Sequence, residues 1–349
     1  TITVMSKKIV ITGGLGYIGT ELCKIYSGES WRNQITVIDN RFASERVNQL
    51  RNWSINFVHA DIRDSKNVKH FLKEADIIHH LAGITDVART KEESNFEKDK
   101  ELNDVAEKGT SVVLYESSEN CKIIFPSTHV IFEGKRDIEK DIEEDCEKFP
   151  VLSYGIGKDK NEEQIKESKK NYVILRLASV YGYSTDAMRL NIMPNLFSKI
   201  TSQNGEISLF SGGRQIKSVV PLVDVVRCMK FMEESNKIKN EILNVLKKII
   251  SIDTSYPPGH TLEISKYIKK YLKGSGFFLS THYYDKNKPN IVLKNFRGNK
   301  SALVFNCHID TVKPINNEWK TKPYSLSIKG SKCFGLGSVN SAHVSIQCP

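Results

Sequence analysis

The sequence predicts an α/β protein built on a doubly wound parallel sheet, and three observations carry that expectation. Short apolar runs recur along the chain, segments of helical periodicity separate them, and the first run leads straight into a glycine-rich turn. Strands covered by helices on both faces read as such runs, because neither face meets water. The first strand spans residues 8–12, followed by the turn and a helix that continues through Tyr26. Residues 35–38, 56–59, 76–81, 123–125 and 173–177 read as the next five strands. Helical periodicity marks residues 105–117 and 159–169, and the acidic, polar stretch 133–148 reads as a surface loop.

Composition narrows the class. The chain has 349 residues, 39% hydrophobic and 26% charged, which is enough apolar material for a real core. No apolar run approaches the roughly 18 residues of a membrane span. The start carries no charged-then-apolar signal segment, and residues 1–6 are expected to be an unstructured start, with 1–4 preceding the first methionine, Met5. Seven scattered cysteines, odd in number, argue against a disulfide framework and for the cytoplasm. The net charge of +10 is uneven: residues 243–349 hold 16 Lys and Arg against 5 Asp and Glu, while residues 1–242 nearly balance. Lys266, Lys269, Lys270 and Lys273 alternate with Ile264, Ile268 and Leu272, the pattern of a solvated helix face; no nucleic-acid or membrane partner is expected. The shift in composition near residue 242 points to two origins.

Within TGGLGYIG, glycines stand at 13, 16 and 19. A backbone that bends sharply and lets a pyrophosphate approach needs glycine there, and the helix that follows offers free N–H groups. Asp39 ends the next strand, where a carboxylate can accept hydrogen bonds from adenine ribose hydroxyls and repel a 2′-phosphate. That favours NAD, although Arg41 keeps NADP open. Tyr154 and Lys158, in SYGIGK, are one helical turn apart and can share a face. A lysine beside a phenol is expected to lower its pKa and make it a usable acid or base.

TGGLGYIG, ADIRD (60–64), HHLAG (79–83), SYGIGK and LRLASVYG (175–182) together resemble the extended short-chain dehydrogenase/reductases, in particular the NAD-dependent nucleotide-sugar epimerase/dehydratase family, over about residues 7–245. The resemblance implies a Rossmann-type domain over 7–180 and a partial substrate domain over 181–242. It implies that Gly13, Gly16, Tyr17, Ile18, Gly19, Asp39 and Asn40 bind the cofactor, that Asp61 and Ile62 flank its adenine, and that Leu81, Ala82 and Gly83 line it. Tyr154 and Lys158 belong to the same set. In FPSTHVIFEG (125–134), the family's catalytic Ser/Thr precedes the valine by three positions, which selects Ser127, with Thr128 next should the alignment slip by one. Ser127, Tyr154 and Lys158 are thus the implied catalytic residues, with Thr128 and Lys217 at the substrate. Lys217 stands where the family has an arginine against the nucleotide diphosphate, a point charge in place of a planar fork. Asp224 matches a family aspartate and reads as structural. His129 and Val130 fill positions that are acidic in dehydratases, so epimerisation or reduction is favoured over dehydration. A homodimer through a four-helix contact is a further implication of the family.

Past residue 243 the sequence resembles another family, the metal-dependent deacylases and carboxypeptidases of the acetylornithine deacetylase type. LNVLKKIISIDTSYPPGH, FNCHIDTVKP (305–314) and NEWKTKPYSLSIKGSKCFGLGSVN (317–340) carry it. His308 and Asp310 match a zinc ligand and its orienting carboxylate, but Asn340 stands where a metal-bridging aspartate is usual, so zinc is not expected. Residues 243–349 are expected to be a truncated domain of this type, a partial α/β fold. Three functions stay open: a nucleotide-sugar oxidoreductase or epimerase, a non-catalytic NAD-binding protein or inactive fusion, and a metal-dependent amide hydrolase carried by the C-terminal part.

Overall fold

The structure is a computed structural model that describes residues 6–28, 33–85, 93, 95–135, 142–184, 187–214, 216–294, 304–306, 308–315, 319–329, 332–337 and 343–345. The expectation for residues 1–5, and that for Asn340, lie outside the described residues. The chain divides into two compact units, residues 1–234 and 235–349.

In the first unit, β1 (Lys8–Thr12), β2 (Gln34–Asp39), β3 (Asn56–His59), β4 (Ile77–His80), β5 (Lys122–Thr128) and β6 (Asn171–Leu177) form one parallel sheet in the order β3-β2-β1-β4-β5-β6. This is the Rossmann-like doubly wound arrangement expected from the sequence. Ile9 pairs with Ile35 on one side and Ile77 on the other. Alternation along the strands divides the core. Ile9 and Ile11 pack with Leu22 and Tyr26 of α1 (Tyr17–Ser27), and with Val225 and Met229 of a later helix. Val10, Ile38, Ile78 and Ile123 face the opposite way, onto Val68 and Leu72 of α3 (Ser65–Glu74) and Val113 of α4 (Phe96–Glu116). Helix α2 (Ser44–Asn52) adds Val47 and Leu50 to the first of these cores. Each such fully buried aliphatic side chain contributes about 1.5–3 kcal/mol.

Two helices begin earlier than their periodicity suggests. Helix α4 starts at Phe96, where Asn95 caps it by accepting hydrogen bonds from the N–H groups of Glu97 and Lys98. Its polar first turns carry no apolar stripe, so only a cap could mark the start. Helix α5 (Ser153–Glu167) starts ahead of the two glycines that masked it. Gly157 is the close approach between α4 and α5: a Cβ there would lie 3.3 Å from Asn103 Oδ1.

The rest of the unit is β7 (Ser179–Tyr181) paired in parallel with β8 (Val219–Pro221), α6 (Met193–Ser202) and α7 (Leu222–Met232). Because α7 packs on α1 in the main core, residues 181–234 belong with the Rossmann-like part as one unit. The second unit opens with α8 (Ser235–Ile250), which runs unbroken across the expected boundary at 243. It continues with β9 (Ser255–Tyr256), α9 (Leu262–Tyr271), the antiparallel pair β10 (Phe278–Asp285) and β11 (Lys288–Lys294), and short strands β12 (Val304–Asn306), β13 (Thr311–Val312), β14 (Ser327–Lys329), β15 (Lys332–Phe334) and β16 (His343–Ser345). On α9, Ile264 is buried while Lys266 and Lys270 are exposed, the expected solvated lysine face. Among the described residues, no helix is long and apolar enough to cross a membrane.

Gly13 sits at φ +69°, and a Cβ there would lie 2.7 Å from Ala82 N. Gly13→Ala therefore combines a left-handed penalty with a backbone clash, and is expected to cost about 2–4 kcal/mol. Urea unfolding of the full chain checks this; a loss under about 1 kcal/mol would contradict it.

Candidate active site

The sheet order places β1 beside β4, and the direction of strand addition across the sheet reverses there: β2 and β3 lie to one side of β1, and β4, β5 and β6 to the other. Doubly wound sheets hold ligands in the crevice at that point, outside the carboxyl ends of the strands. The glycine turn lies at the end of β1. Gly13 N donates to Ile38 O at 2.7 Å, and Gly16 N to Gly13 O at 3.1 Å, which closes the bend. Gly16 is the N-cap of α1 and contributes no side-chain hydrogen bond, so Tyr17 and Ile18 present their N–H groups at an uncapped helix start. A Cβ at Gly19 would lie 2.6 Å from Gly14 Cα, so helix and turn meet without side chains between them. The Tyr17 hydroxyl points elsewhere: it donates to Gly182 O at 2.6 Å and accepts from Asn195 Nδ2 at 3.2 Å. Any contact of Tyr17 with an anion at the turn thus falls to its backbone.

Asp39, 5% exposed, ends β2. Its carboxylate accepts from Leu15 N and Arg41 N, each at 3.0 Å, which fixes it beside the turn with acceptor capacity remaining. The neighbouring Asn40 is exposed, and its side chain bonds Asp61. Arg63 holds Asp61 through two nitrogens at 2.7 and 3.0 Å, and keeps its carboxyl below the usual range. Ile62 is buried against Gly109 of α4. Beyond β4, Leu81 N donates to Thr12 O and Ala82 N to Thr12 Oγ1, each at 3.1 Å. Gly83 follows, exposed, with open space where a Cβ would project. These residues form an uncapped helix start, a carboxylate at the second strand and a bare glycine edge, a set that fits a dinucleotide.

The other half of the site is made by β5 and α5. Lys158 Nζ donates to Pro126 O at 2.8 Å and lies 4.4 Å from the Phe125 ring centroid and 6.0 Å from that of Tyr154. Tyr154 and Lys158 therefore do share a face of α5. Burial sets both their acidities. It pushes the Tyr154 phenol above its ordinary value, with the Arg189 guanidinium pulling the other way. Lys158 falls to about 8, with Glu162 opposing the fall. Contrary to the expected lowering by Lys158, the phenol is raised, because desolvation outweighs the pull of the Arg189 guanidinium.

Ser127 and Thr128 end β5 on opposite faces. The Ser127 hydroxyl donates to Glu162 Oε1 at 2.6 Å, in a position only 3% exposed. Thr128 Oγ1 instead accepts from Val130 N at 3.2 Å, which leaves its proton free to donate. Lys217 is exposed on the stretch before β8, and among the described residues no hydrogen bond joins it to Tyr154 or Lys158. Asp224 lies in the first turn of α7. In the second unit, His308 Nδ1 lies 3.3 Å from Asp310 Oδ1, and both side chains are about half exposed. Among the described residues, no three His, Cys, Asp or Glu side chains come together as a metal site.

Three site residues escaped the sequence reading. Glu162 follows Lys158 by one helical turn, a spacing that could have revealed it. Arg176 on β6 grips Glu162 through two nitrogens at 3.0 and 2.8 Å. Arg189 donates to Thr85 O at 2.9 Å and lies near both Tyr154 and Tyr17; its contacts join distant segments and leave no local signal.

A family model described as "NAD dependent epimerase/dehydratase family" matches residues 9–245. Among curated proteins, UDP-N-acetyl-alpha-D-glucosaminuronate decarboxylase of Bacillus cytotoxicus is 23% identical over 69% of this chain and 75% of its own length. The UDP-glucose 4-epimerase of Vibrio cholerae is 26% identical over 67% of this chain and 70% of its own. The dTDP-D-glucose 4,6-dehydratase of Dictyostelium discoideum is 26% identical over 70% of this chain, which spans 62% of that protein. Among solved structures, UDP-glucose 4-epimerase of Thermotoga maritima with UDP-glucose superposes with a TM-score of 0.54, at 24% identity, over 63% of this chain and 71% of that one. UDP-glucuronic acid 4-epimerase of Bacillus cereus, in complex with UDP-glucuronic acid and NAD, gives 0.53 at 23% identity, over 63% and 70%. At these identities the structures establish the shared fold.

The acidity of Lys158 sets a pH dependence of stability. Its value falls from 10.5 to about 8 on folding, so between these values the unfolded chain binds the extra proton. The contribution of Lys158 to stability is thus least favourable below pH 8 and improves as pH rises towards 10.5. Comparing wild type with Lys158→Met by chemical denaturation, the difference is expected to move in the wild type's favour from pH 8 to 10. A pH-independent difference would contradict this.

Proposed function

The chain belongs to the NAD-dependent epimerase/dehydratase family, and from that premise we propose that its first unit is an NAD-dependent oxidoreductase acting on a nucleotide sugar, as an epimerase or reductase. The observation that carries this reading is the placement of Tyr154 and Lys158 on one face of α5, with Lys158 bonded to the end of β5. In this reading Gly13, Gly16, Gly19 and the N–H groups of Tyr17 and Ile18 receive the pyrophosphate. Asp39 takes the adenine ribose hydroxyls and disfavours a 2′-phosphate, while Asn40, Asp61 and Ile62 border the adenine. Leu81, Ala82 and Gly83 run along the cofactor. NAD, when bound, supplies the acceptor and donor of hydride.

Tyr154 takes the proton of the reacting sugar hydroxyl as a phenolate and returns it as a phenol. Burial opposes the phenolate, so the cations around it decide how much is present. Arg189 already pulls in that direction, and Lys158 beside the ring is charged below about pH 8. The hydroxyl that steadies the sugar oxygen is assigned to Ser127, which stands on the side of β5 that meets α5; its proton rests on Glu162 and its remaining lone pair is open, while Thr128, on the opposite side, is the second candidate. Lys217 remains the residue assigned to the diphosphate of the substrate. The names of the relatives favour a uridine or thymidine diphosphate sugar.

Residues 243–349 are read as related to the deacylases. The His308–Asp310 pair provides too few ligands for catalytic zinc, and no hydrolase activity is assigned to it. Zinc-dependent deacylation by the full chain would contradict that reading.

The functional test is turnover of UDP- and dTDP-sugars by the full chain with NAD. Tyr154→Phe is expected to lower kcat by about 10²–10⁴-fold while NAD binding persists. Ser127→Ala is expected to lower kcat more than Thr128→Ala does, and to lower thermal stability as well. No turnover by the wild type, or full activity of Tyr154→Phe, would refute the assignment.

A further inference from the structure

The end of β5 is fastened to α5 at two consecutive residues. Lys158 Nζ donates to Pro126 O at 2.8 Å, and one helical turn later Glu162 Oε1 accepts from Ser127 Oγ at 2.6 Å. Glu162 is wholly buried, and Arg176 on the neighbouring strand β6 grips it with two nitrogens, at 3.0 and 2.8 Å. Three elements, β5, β6 and α5, therefore meet at one carboxylate one helical turn beyond Lys158. A buried ion pair is a poor source of net stability, since desolvation offsets most of its attraction. Serine, glutamate and arginine could be replaced by apolar residues if packing were all that mattered here.

We propose that Glu162 is a positioning residue for Lys158: it locks α5 to the end of β5 through Ser127 and Arg176, so that Lys158 stays fastened to Pro126 O beside the Tyr154 ring. The charges around the amine support this. On its own helix Lys158 faces Glu162 and Tyr154. From β4 it faces His80, which burial holds neutral with a pKa of about 3. Around Glu162 stand Arg176, Lys148 and Lys166, with Asp159 and Glu163 on Lys148. Among the groups acting on Lys158, Glu162 is the one that opposes its neutralisation. The proposed acid–base pair thus depends on a residue enclosed by the protein itself.

This inference rests on the reading of Tyr154 and Lys158 as the reacting pair, and its test is chosen to be independent of turnover. The full chain and Glu162→Gln are labelled with a trace amine-reactive reagent from pH 6 to 10, and the Lys158 peptide is quantified by mass spectrometry. The labelling midpoint of Lys158 is expected to fall by about one pH unit in Glu162→Gln. An unchanged midpoint in a folded Glu162→Gln overturns the proposal. Where that variant does not fold, Glu162→Asp carries the test: the shortened carboxylate releases Ser127, and the midpoint must move; an unmoved one again overturns it. Where the wild type turns over a sugar nucleotide, the alkaline limb of kcat/KM shifts with the labelling midpoint. A shifted midpoint in a wild type without turnover would refute the enzymatic reading alone and leave the role of Glu162 standing.

Discussion

The site depends on how closely the glycine turn approaches the segment after β4. Gly13 lies so near the backbone of Leu81 and Ala82 that no side chain could stand between them. That contact exists because β1 and β4 are neighbours in the sheet, and they are neighbours because the winding reverses there. In doubly wound sheets such a reversal marks the crevice that holds ligands, and the uncapped helix start, the Asp39 carboxylate and Gly83 all lie at or just after strand ends beside it. Packing and binding are therefore one constraint here. The residue that permits the close approach also exposes the backbone donors.

The second half of the site obeys a different logic, set by charge in a place with little water. Burial raises Tyr154 and lowers Lys158, so desolvation drives both towards their neutral forms. Arg189 acts against this at the phenol and Glu162 at the amine. In the proposed function, a phenol–ammonium pair needs such neighbours to hold it near neutrality. The hydroxyls of Ser127 and Thr128 divide the work between opposite faces of one strand: one braces the helix, the other remains able to donate.

Much of the fold was legible because a parallel sheet buries both faces, and its strands stand out as apolar runs bounded by turns. The strand at 56–59 was read with the bounds that the structure shows, and 8–12 likewise. The helix starts were not, since α4 begins in a polar turn marked only by Asn95, and α5 begins across two glycines that suit tight packing better than helix propensity. The shared helix face of Tyr154 and Lys158 was legible from their spacing. Which of the Ser127 and Thr128 hydroxyls Glu162 engages was not, because adjacent hydroxyls look alike in a sequence. The direction of the Tyr154 shift was misjudged for a related reason: sequence spacing shows a nearby lysine but not the burial that outweighs it. Arg189 and Arg176 act across long sequence separations and left no pattern to find.

The proposed function requires that the end of the sheet between β1 and β4 receives a dinucleotide and that Asp39 chooses which one. Calorimetric titration of the full chain with NAD and with NADP decides this. Saturable binding of NAD at about one per chain, at least about tenfold tighter than NADP, is expected. Absence of NAD binding by a folded chain, or equal affinity for the two, would contradict it.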